Sequence, residues 1–386
     1  MEIKLRNKQI NNKMNNVIKT AERMKAVEAQ RLAHEISFGP VIFQVSRLMI
    51  KFGIFQMLLD AKEGLTLDEI KEKSGLSDYA VQALLYASLT AGTVLCKDGR
   101  YTASKAGWFL LNDPLVQVDM GMTHDVIYNG LFYLEETLLS GEPVGLRKVF
   151  GDYPTIYEAL SSLPPDVQKS WFDWDHYFSD QSFDEALPIV FADKPRRLLD
   201  VGGNTGKYAL RCVNYDENVQ VTIVDLPQQL EMMRKFVAGK QGAERIAGHP
   251  ANLLDKSVKL PEGFDVIWMS QLVSAFSEEE VTSVLARAAD AMNNETTLYI
   301  NETLWDRQRF DSAAYCLTQI TLYFACVANG NSKMYHSSDL LRCINNAGLT
   351  VENIHDGLGK GHSLIQCKKI QRNKNSKYNS LLIFNS

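Results

Sequence analysis

From about Asn15 to Leu59 apolar residues recur at helical spacing. Val17, Ile18, Ala21, Met24, Ala26 and Val27 lie among charged neighbours, and a more apolar helix is expected from Val41 to Leu59. The stretch from Leu65 to Ser104 then reads as helix, turn at Ser74-Gly75, helix, and a hairpin turning at Lys97-Asp98-Gly99, the outline of a winged helix. Residues from about Pro114 to Asp180 keep helical spacing and are rich in aromatics. From Arg196 onward the pattern changes. "RLLDVG", "VQVTIVDLP", "FDVIWMS" and "TTLYINET" are short apolar runs of strand length, separated by segments of helical length. This alternation predicts an α/β fold, a mostly parallel sheet with helices on both faces. The last sixteen residues turn polar and then briefly apolar, and are expected to be disordered.

A chain of 386 residues favours more than one domain. The pattern divides it into a helical and winged-helix part over 1–113 and a helical linker over 114–185 that contributes to a substrate pocket. An α/β domain over 186–370 and a tail over 371–386 follow. A formal net charge of −5 gives no general attraction to nucleic acid or to an anionic membrane. Six cysteines (Cys96, Cys212, Cys316, Cys326, Cys343 and Cys367) are scattered without a C-x-x-C pair. That usage predicts reduced thiols in the cytoplasm, with no disulfide framework and no metal site. The first residues lack the apolar core of a signal peptide, and no apolar run is long enough to span a bilayer.

The chemistry concentrates in "LLDVGGNTGKYAL", Leu198 to Leu210, where a strand runs into a glycine-rich loop and a helix follows. A triphosphate loop requires G-x-x-x-x-G-K-[ST]; here Gly202 to Gly206-Lys207 is one residue short, and Tyr208 stands where the magnesium-binding hydroxyl belongs. A dinucleotide loop requires G-x-G-x-x-G, and Asn204 occupies its second glycine. What remains is Asp200-x-Gly202-Gly203-x-x-Gly206. An acid so placed suits a cationic ammonium or sulfonium better than a pyrophosphate. Asn204 tolerates a left-handed backbone, so the turn can still close. Asp225 ends the next strand, where a carboxylate accepts hydrogen bonds from ribose hydroxyls.

With these residues in view, the chain resembles the class I S-adenosylmethionine-dependent methyltransferases. Within them it resembles the small-molecule O-methyltransferases that carry an N-terminal winged-helix dimerisation domain. The loop from Leu198 to Gly206 matches their first motif and "VDLP" their second. "GFDVIWMSQLVSAFSEEEV", "TTLYINETLW" and "SSDLLRCINNAGL" match three later segments in order and spacing. The resemblance implies a Rossmann-like methyltransferase domain that uses S-adenosylmethionine and releases S-adenosylhomocysteine. It also implies a small-molecule acceptor and a homodimer built through the N-terminal half. By the same resemblance Gly202, Gly203 and Gly206 line the methionine portion of the cofactor, while Asp225 and Leu226 hold ribose and adenine. Asn252 and Leu253 fall beside the adenine, with Asn where the family usually has Asp. Ser270 and Gln271 fall near the cofactor's carboxylate end, with Ser270 where many members have Lys.

The catalytic position departs from the family. Plant-type members place a proton-accepting His where this chain has Ser274, and flank it with two acids, of which one matches Glu302 and the other falls on Met334. A serine hydroxyl is no base near neutral pH without its own activator. Methyl transfer nevertheless remains accessible, because a sulfonium methyl is already electrophilic and much of the barrier yields to positioning. His176, in the aromatic segment "WFDWDHYFSD", is the candidate replacement base, with an aromatic-core histidine as its alternative. His124 and His336 have weaker claims to the pocket; His34, His249, His355 and His362 read as surface or turn residues. Tyr128, Phe132, Tyr133, Trp171, Phe172, Trp174, Phe178, Met120 and Met122 supply the aromatic and sulfur side chains from which a few would wall a flat apolar pocket.

The expected function is therefore methyl transfer to an oxygen of a small aromatic or polyketide-like metabolite. A second reading keeps cofactor binding and loses or changes methyl transfer, on the strength of Ser274 and Met334. A third, a winged-helix DNA regulator, is disfavoured: the recognition-helix segment from Ser77 to Gly92 contains no Lys or Arg to neutralise phosphates.

Overall fold

The computed structural model describes residues 23–370. The expectations for Val17, Ile18 and Ala21, and for the tail after residue 370, lie outside the described residues. The described residues divide into two units, one formed by residues 23–126 with 169–174 and the other by 127–168 with 175–370.

The smaller unit opens with α1 (Ala26–Ser37), α2 (Gly39–Lys51) and α3 (Ile54–Asp60). The single helix expected from Val41 to Leu59 is thus two, because Gly53 adopts a left-handed φ of +70° and interrupts the hydrogen-bond ladder. Next come α4 (Leu67–Ser74) and α5 (Asp78–Thr90), and the hairpin β1 (Val94–Lys97) and β2 (Arg100–Ala103). Thr66 starts α4 with a capping box: its hydroxyl accepts from Glu69 N at 3.3 Å and its own N–H donates to Glu69 Oε2 at 2.7 Å. Gly75 ends the helix with a φ of +69°. Asp98 and Gly99 both take positive φ, the two-residue turn whose twist matches a hairpin. Met49, Ile54, Phe55, Leu58, Ile70, Val81 and Leu85 form the core beneath. By contrast α1 buries none of its residues, and Val27, Ile36 and Phe38 are all more than half exposed. The unit continues with α6 (Lys105–Asn112), α7 (Pro114–Gly121) and a π-helical turn at Met122–Ile127.

The larger unit takes α8 (Leu134–Ser140), α9 (Val144–Val149) and α10 (Ile156–Ala159). Then follows the long α11 (Pro165–Val190), whose residues 169–174 are grouped with the smaller unit. The segment 114–185 is accordingly shared between the two units. Beyond it run β3 (Arg197–Val201), α12 (Lys207–Tyr215), β4 (Gln220–Asp225), α13 (Pro227–Val237), β5 (Ile246–Pro250), β6 (Val266–Ser270), α14 (Glu278–Ala291) and β7 (Thr297–Thr303). The chain ends its described fold with α15 (Asp311–Tyr323), α16 (Ser337–Asn346), β8 (Leu349–Leu358) and β9 (His362–Lys369).

The seven strands lie in the order β5-β4-β3-β6-β7-β9-β8. The pairings β3–β4, β3–β6, β4–β5 and β6–β7 are parallel, and β9 runs antiparallel to β7 and to β8. Both faces are covered, which is why the four strands legible in the sequence are continuous apolar runs. On one face Val201, Met269 and Ile300 pack with Val281, Leu285, Leu340 and Ile344 from α14 and α16. On the other, Ile223, Trp268 and Tyr299 pack with Phe183, Leu187, Tyr208 and Ala209 from α11 and α12. The strand β5, "IAGHP", was not expected: at the sheet edge, Gly, His and Pro are held in place by parallel pairing with β4 rather than by strand propensity. Among the described residues no single helix is long and apolar enough to cross a membrane.

Candidate active site

Strand order reverses direction of winding at β3, where β4 lies on one side and β6 on the other. In open α/β sheets a ligand crevice forms at such a point, outside the carboxyl ends of the strands. Every cofactor residue expected from the sequence stands there. Asp200 lies near the end of β3 and Gly202 to Gly206 follow it, Asp225 and Leu226 close β4, Asn252 and Leu253 follow β5, and Ser270 and Gln271 end β6; the candidate catalytic Glu302 is near the end of β7.

The glycine loop is shaped by close packing. Gly202, with φ of +77°, leaves no room for a side chain, since a Cβ would stand 2.6 Å from Leu272 Cδ1. A Cβ on Gly203 would stand 2.7 Å from Asp200 Oδ2. Asn204 takes the left-handed conformation (φ +48°) that its residue type tolerates, and Gly206 starts α12. Asp225 ties the loop down: its Oδ2 accepts from Asn204 N at 2.8 Å and its Oδ1 from Leu226 N at 2.7 Å. Two backbone donors leave this carboxylate with lone pairs to spare for a diol.

The electrostatics call for a cation. Asp200 is 2% exposed, and its Oδ2 has no hydrogen-bond partner among the described residues. Burial, with the Asp225 charge beside it, pushes Asp200 up to about 8, and burial pushes Asp225 up to about 6. An orphaned buried carboxylate under a loop stripped of side chains fits the ammonium or sulfonium of S-adenosylmethionine. Asn252 is exposed and its Oδ1 accepts from Leu254 N at 2.9 Å, while Leu253 is buried. Ser270 Oγ accepts from Asn301 Nδ2 at 3.0 Å, and the same amide donates to Ser182 Oγ at 2.9 Å. Gln271 adopts φ of +47°, and its Oε1 lies 3.3 Å from His362 Nε2. His362, expected at the surface, is completely buried in β9, where burial pulls it down to about 3 and keeps it neutral. Two residues apart from the hairpin tip, it looked like a turn residue because only pairing with β7 carries it inside.

At the other end of the strand-end crevice stand the candidate catalytic groups. Ser274 lies buried in a short 3₁₀ turn, Val273–Ala275. Glu302 is 1% exposed, and its Oε1 accepts from Val273 N at 2.9 Å. Burial pushes Glu302 up to about 8; the backbone N–H groups of residues 272–274 pull it down, and the Asp175 charge adds to the rise. Glu302 thus anchors the turn after β6. Met334 is buried, so the family's second acid has no counterpart there. His176 is partly buried on α11, its Nε2 4.0 Å from Asp175 Oδ2. His336 instead begins α16, its Nδ1 2.8 Å from Ser338 Oγ, and faces Asp306. His124 sits in the π-helical turn of the smaller unit. Of the aromatic set, Trp171, Trp174, Phe178 and Met122 are buried and Phe132 is 81% exposed.

Two groups carried no signal in the sequence. Asp175 Oδ2 lies 3.5 Å from Asn204 Nδ2 of the glycine loop, and Lys207 Nζ pairs with Asp180 at 2.7 Å beside it. Tyr157 on α10 is held far above its ordinary value by burial and then by Tyr323, Asp175 and Glu302. Neither could be found from spacing, because each acquires its neighbours only across the fold.

Known proteins resemble this chain in both its N-terminal and its C-terminal parts. The Dimerisation2-like domain family matches residues 30–101, and the O-methyltransferase domain family matches residues 162–348. An L-tyrosine C(3)-methyltransferase of Streptomyces lavendulae is 23% identical over 82% of this chain and 86% of its own. A 3-hydroxy-5-methyl-1-naphthoate 3-O-methyltransferase of Streptomyces sahachiroi is 24% identical over 67% of this chain and 72% of its own. Among solved structures, the S-adenosylmethionine-dependent methyltransferase SibL in its apo form superposes with a TM-score of 0.65. It is 22% identical, covering 87% of this chain and 98% of that one. The chain thus carries a Dimerisation2-like domain followed by an O-methyltransferase domain, the pairing expected of an S-adenosylmethionine-dependent O-methyltransferase.

Proposed function

We propose that this enzyme methylates an oxygen of a small hydroxylated aromatic or polyketide-like acceptor. The observation that carries this reading is the convergence of the expected cofactor residues on the carboxyl ends of four neighbouring parallel strands, with the buried carboxylate of Asp200 unpartnered beneath the loop. S-adenosylmethionine supplies an electrophilic methyl group when bound. Asp200 and Asp225, with Gly202, Gly203 and Gly206, would hold it, assisted by Leu226, Asn252, Leu253, Ser270 and Gln271. Glu302 fixes the turn that carries Ser274, so that acceptor and methyl can be aligned. Ser274 has no activator within its own turn and serves no base function; His176, near Asp175, moves the acceptor's proton outward.

Carbon is the second acceptor class, favoured by the match to a relative named for methylating a tyrosine ring carbon. Deprotonating a phenol raises nucleophilicity at its ring carbons as well as at its oxygen. Methyl-labelled cofactor, incubated with hydroxynaphthoates and with tyrosine, separates the two. Label in an ether linkage supports the oxygen reading, and label on a ring carbon with none on oxygen would refute it.

The exposed apolar residues of α1 and the Dimerisation2-like match support a homodimer through the N-terminal half. Light scattering should then give twice the 43.5 kDa of one chain. All six cysteines are free, which fits a reducing, cytoplasmic setting.

A further inference from the structure

The family's usual base is absent at Ser274, and the remaining buried acids are committed elsewhere. Asp225 accepts two backbone N–H groups of the glycine loop and its flank. Asp200 lies beneath Gly203, where its unpartnered Oδ2 is assigned to the cofactor's cation. Glu302 is held by the turn at residues 272–274. Asp175 differs from all three. Asn204 Nδ2 approaches its Oδ2 only at 3.5 Å, the limit of a hydrogen bond. Asn204, its neighbour, belongs to the glycine loop, and its charge also reaches Tyr157 and Glu302, on the side assigned to the acceptor.

Building on the aromatic-oxygen reading, we propose that Asp175 is the proton acceptor for the acceptor hydroxyl, with His176 passing the proton to solvent. In that step the acceptor O–H bond breaks and its proton goes to the Asp175 carboxylate. The oxygen's electron pair forms the new O–C bond as the methyl–sulfur bond breaks, and that bond's electrons stay on sulfur as the neutral thioether. The proton then leaves by way of His176, whose Nε2 is 4.0 Å from Asp175 Oδ2, so a bridging water completes the path.

The charged surroundings suit a base operating near neutrality. On its own helix Asp175 meets Asp180 and His176; from α12 it meets Lys207, from the loop Asn204, from α10 Tyr157 and from β7 Glu302. Burial first and the Asp180 charge second push it up to about 7, against Lys207 and the Asn204 amide. A base poised there combines availability with proton affinity.

The test is Asp175→Asn, which keeps shape and loses the carboxylate, assayed in single turnover on ring-substituted naphthols of graded hydroxyl acidity. The variant should lose about 10²–10⁴-fold on the least acidic naphthol, with the deficit shrinking as the hydroxyl ionises by itself. Wild type should show a rate limb rising to a plateau near pH 7 that the variant lacks, and Asp175→Glu should keep that limb. Calorimetry should give the same S-adenosylmethionine affinity for both chains within about threefold. A uniform loss across the series, no loss at all, or a tenfold weaker cofactor would each overturn the assignment. Wild type that methylates none of the naphthols would refute the aromatic-oxygen reading itself, before any variant is made, and this assignment with it.

Discussion

In the proposed site the cofactor end of the crevice is built of backbone and the acceptor end of side chains. At Gly202 to Gly206 the ligand surface is made by removing side chains, bending the chain through left-handed positions and fastening it with Asp225. Around Asp175, Tyr157 and Glu302 it is made by gathering acids and a phenol from α11, α10 and β7. A backbone cradle tolerates few substitutions and keeps one geometry. A side-chain cluster can exchange its members while the loop stays intact, which is how Ser274 and Met334 can stand where related enzymes keep ionisable groups. The proposed site therefore makes cofactor binding and proton handling separable.

Breaking the anchor between the two ends should have the largest effect. Glu302→Ala leaves the N–H of Val273 without its buried acceptor and should lower stability by about 1–3 kcal/mol, read in denaturant melts. Turnover should fall more than tenfold as the turn at Ser274 loosens. Glu302→Gln retains an acceptor oxygen and, because burial already favours the protonated acid, should lose much less of both.

An intermediate effect should follow pH. Asp200, Asp225, Asp175 and Glu302 all hold protons more tightly in the folded chain than their ordinary values allow. Between about pH 4 and about pH 8 the folded state binds more protons than the unfolded one, so its stability falls as pH rises through this window. The cofactor-free chain should melt at a lower temperature at pH 8 than at pH 6, and Asp200→Asn should flatten the difference. A melting temperature that rises over the same interval would contradict the assigned burial of these acids.

The smallest effect is expected at Ser274. If that hydroxyl takes no part in proton transfer, Ser274→Ala should lower turnover less than about tenfold, under about 1.4 kcal/mol of barrier. A collapse of turnover with cofactor affinity unchanged would return this position to the chemistry.

The same contrast explains what could be read from the chain. Glycine spacing, the acid before the loop and the acid ending β4 are local consequences of backbone requirements, so they leave a pattern in consecutive residues. The winged helix is legible for the same reason, through Ser74-Gly75 and Asp98-Gly99. Asp175 is silent because its partner Asn204 is 29 residues away, and the helical pattern of "WFDWDHYFSD" draws attention to His176 instead. His362 is misread because neighbouring Gly359 and Gly361 signal a turn, whereas pairing of β9 with β7 buries it. Strand β5 is missed because an edge position demands little of its residues.

The most direct test of a backbone-built cofactor site anchored by one carboxylate is calorimetric titration of S-adenosylmethionine into wild type and Asp225→Ala. The variant loses the acceptor of two backbone N–H groups and, in the proposed site, the partner of the ribose hydroxyls. At about 1.5–3 kcal/mol for each hydrogen bond to a charged group, its affinity should fall by about 10²-fold or more. Equal binding by the two chains, or no binding by wild type, would contradict the account.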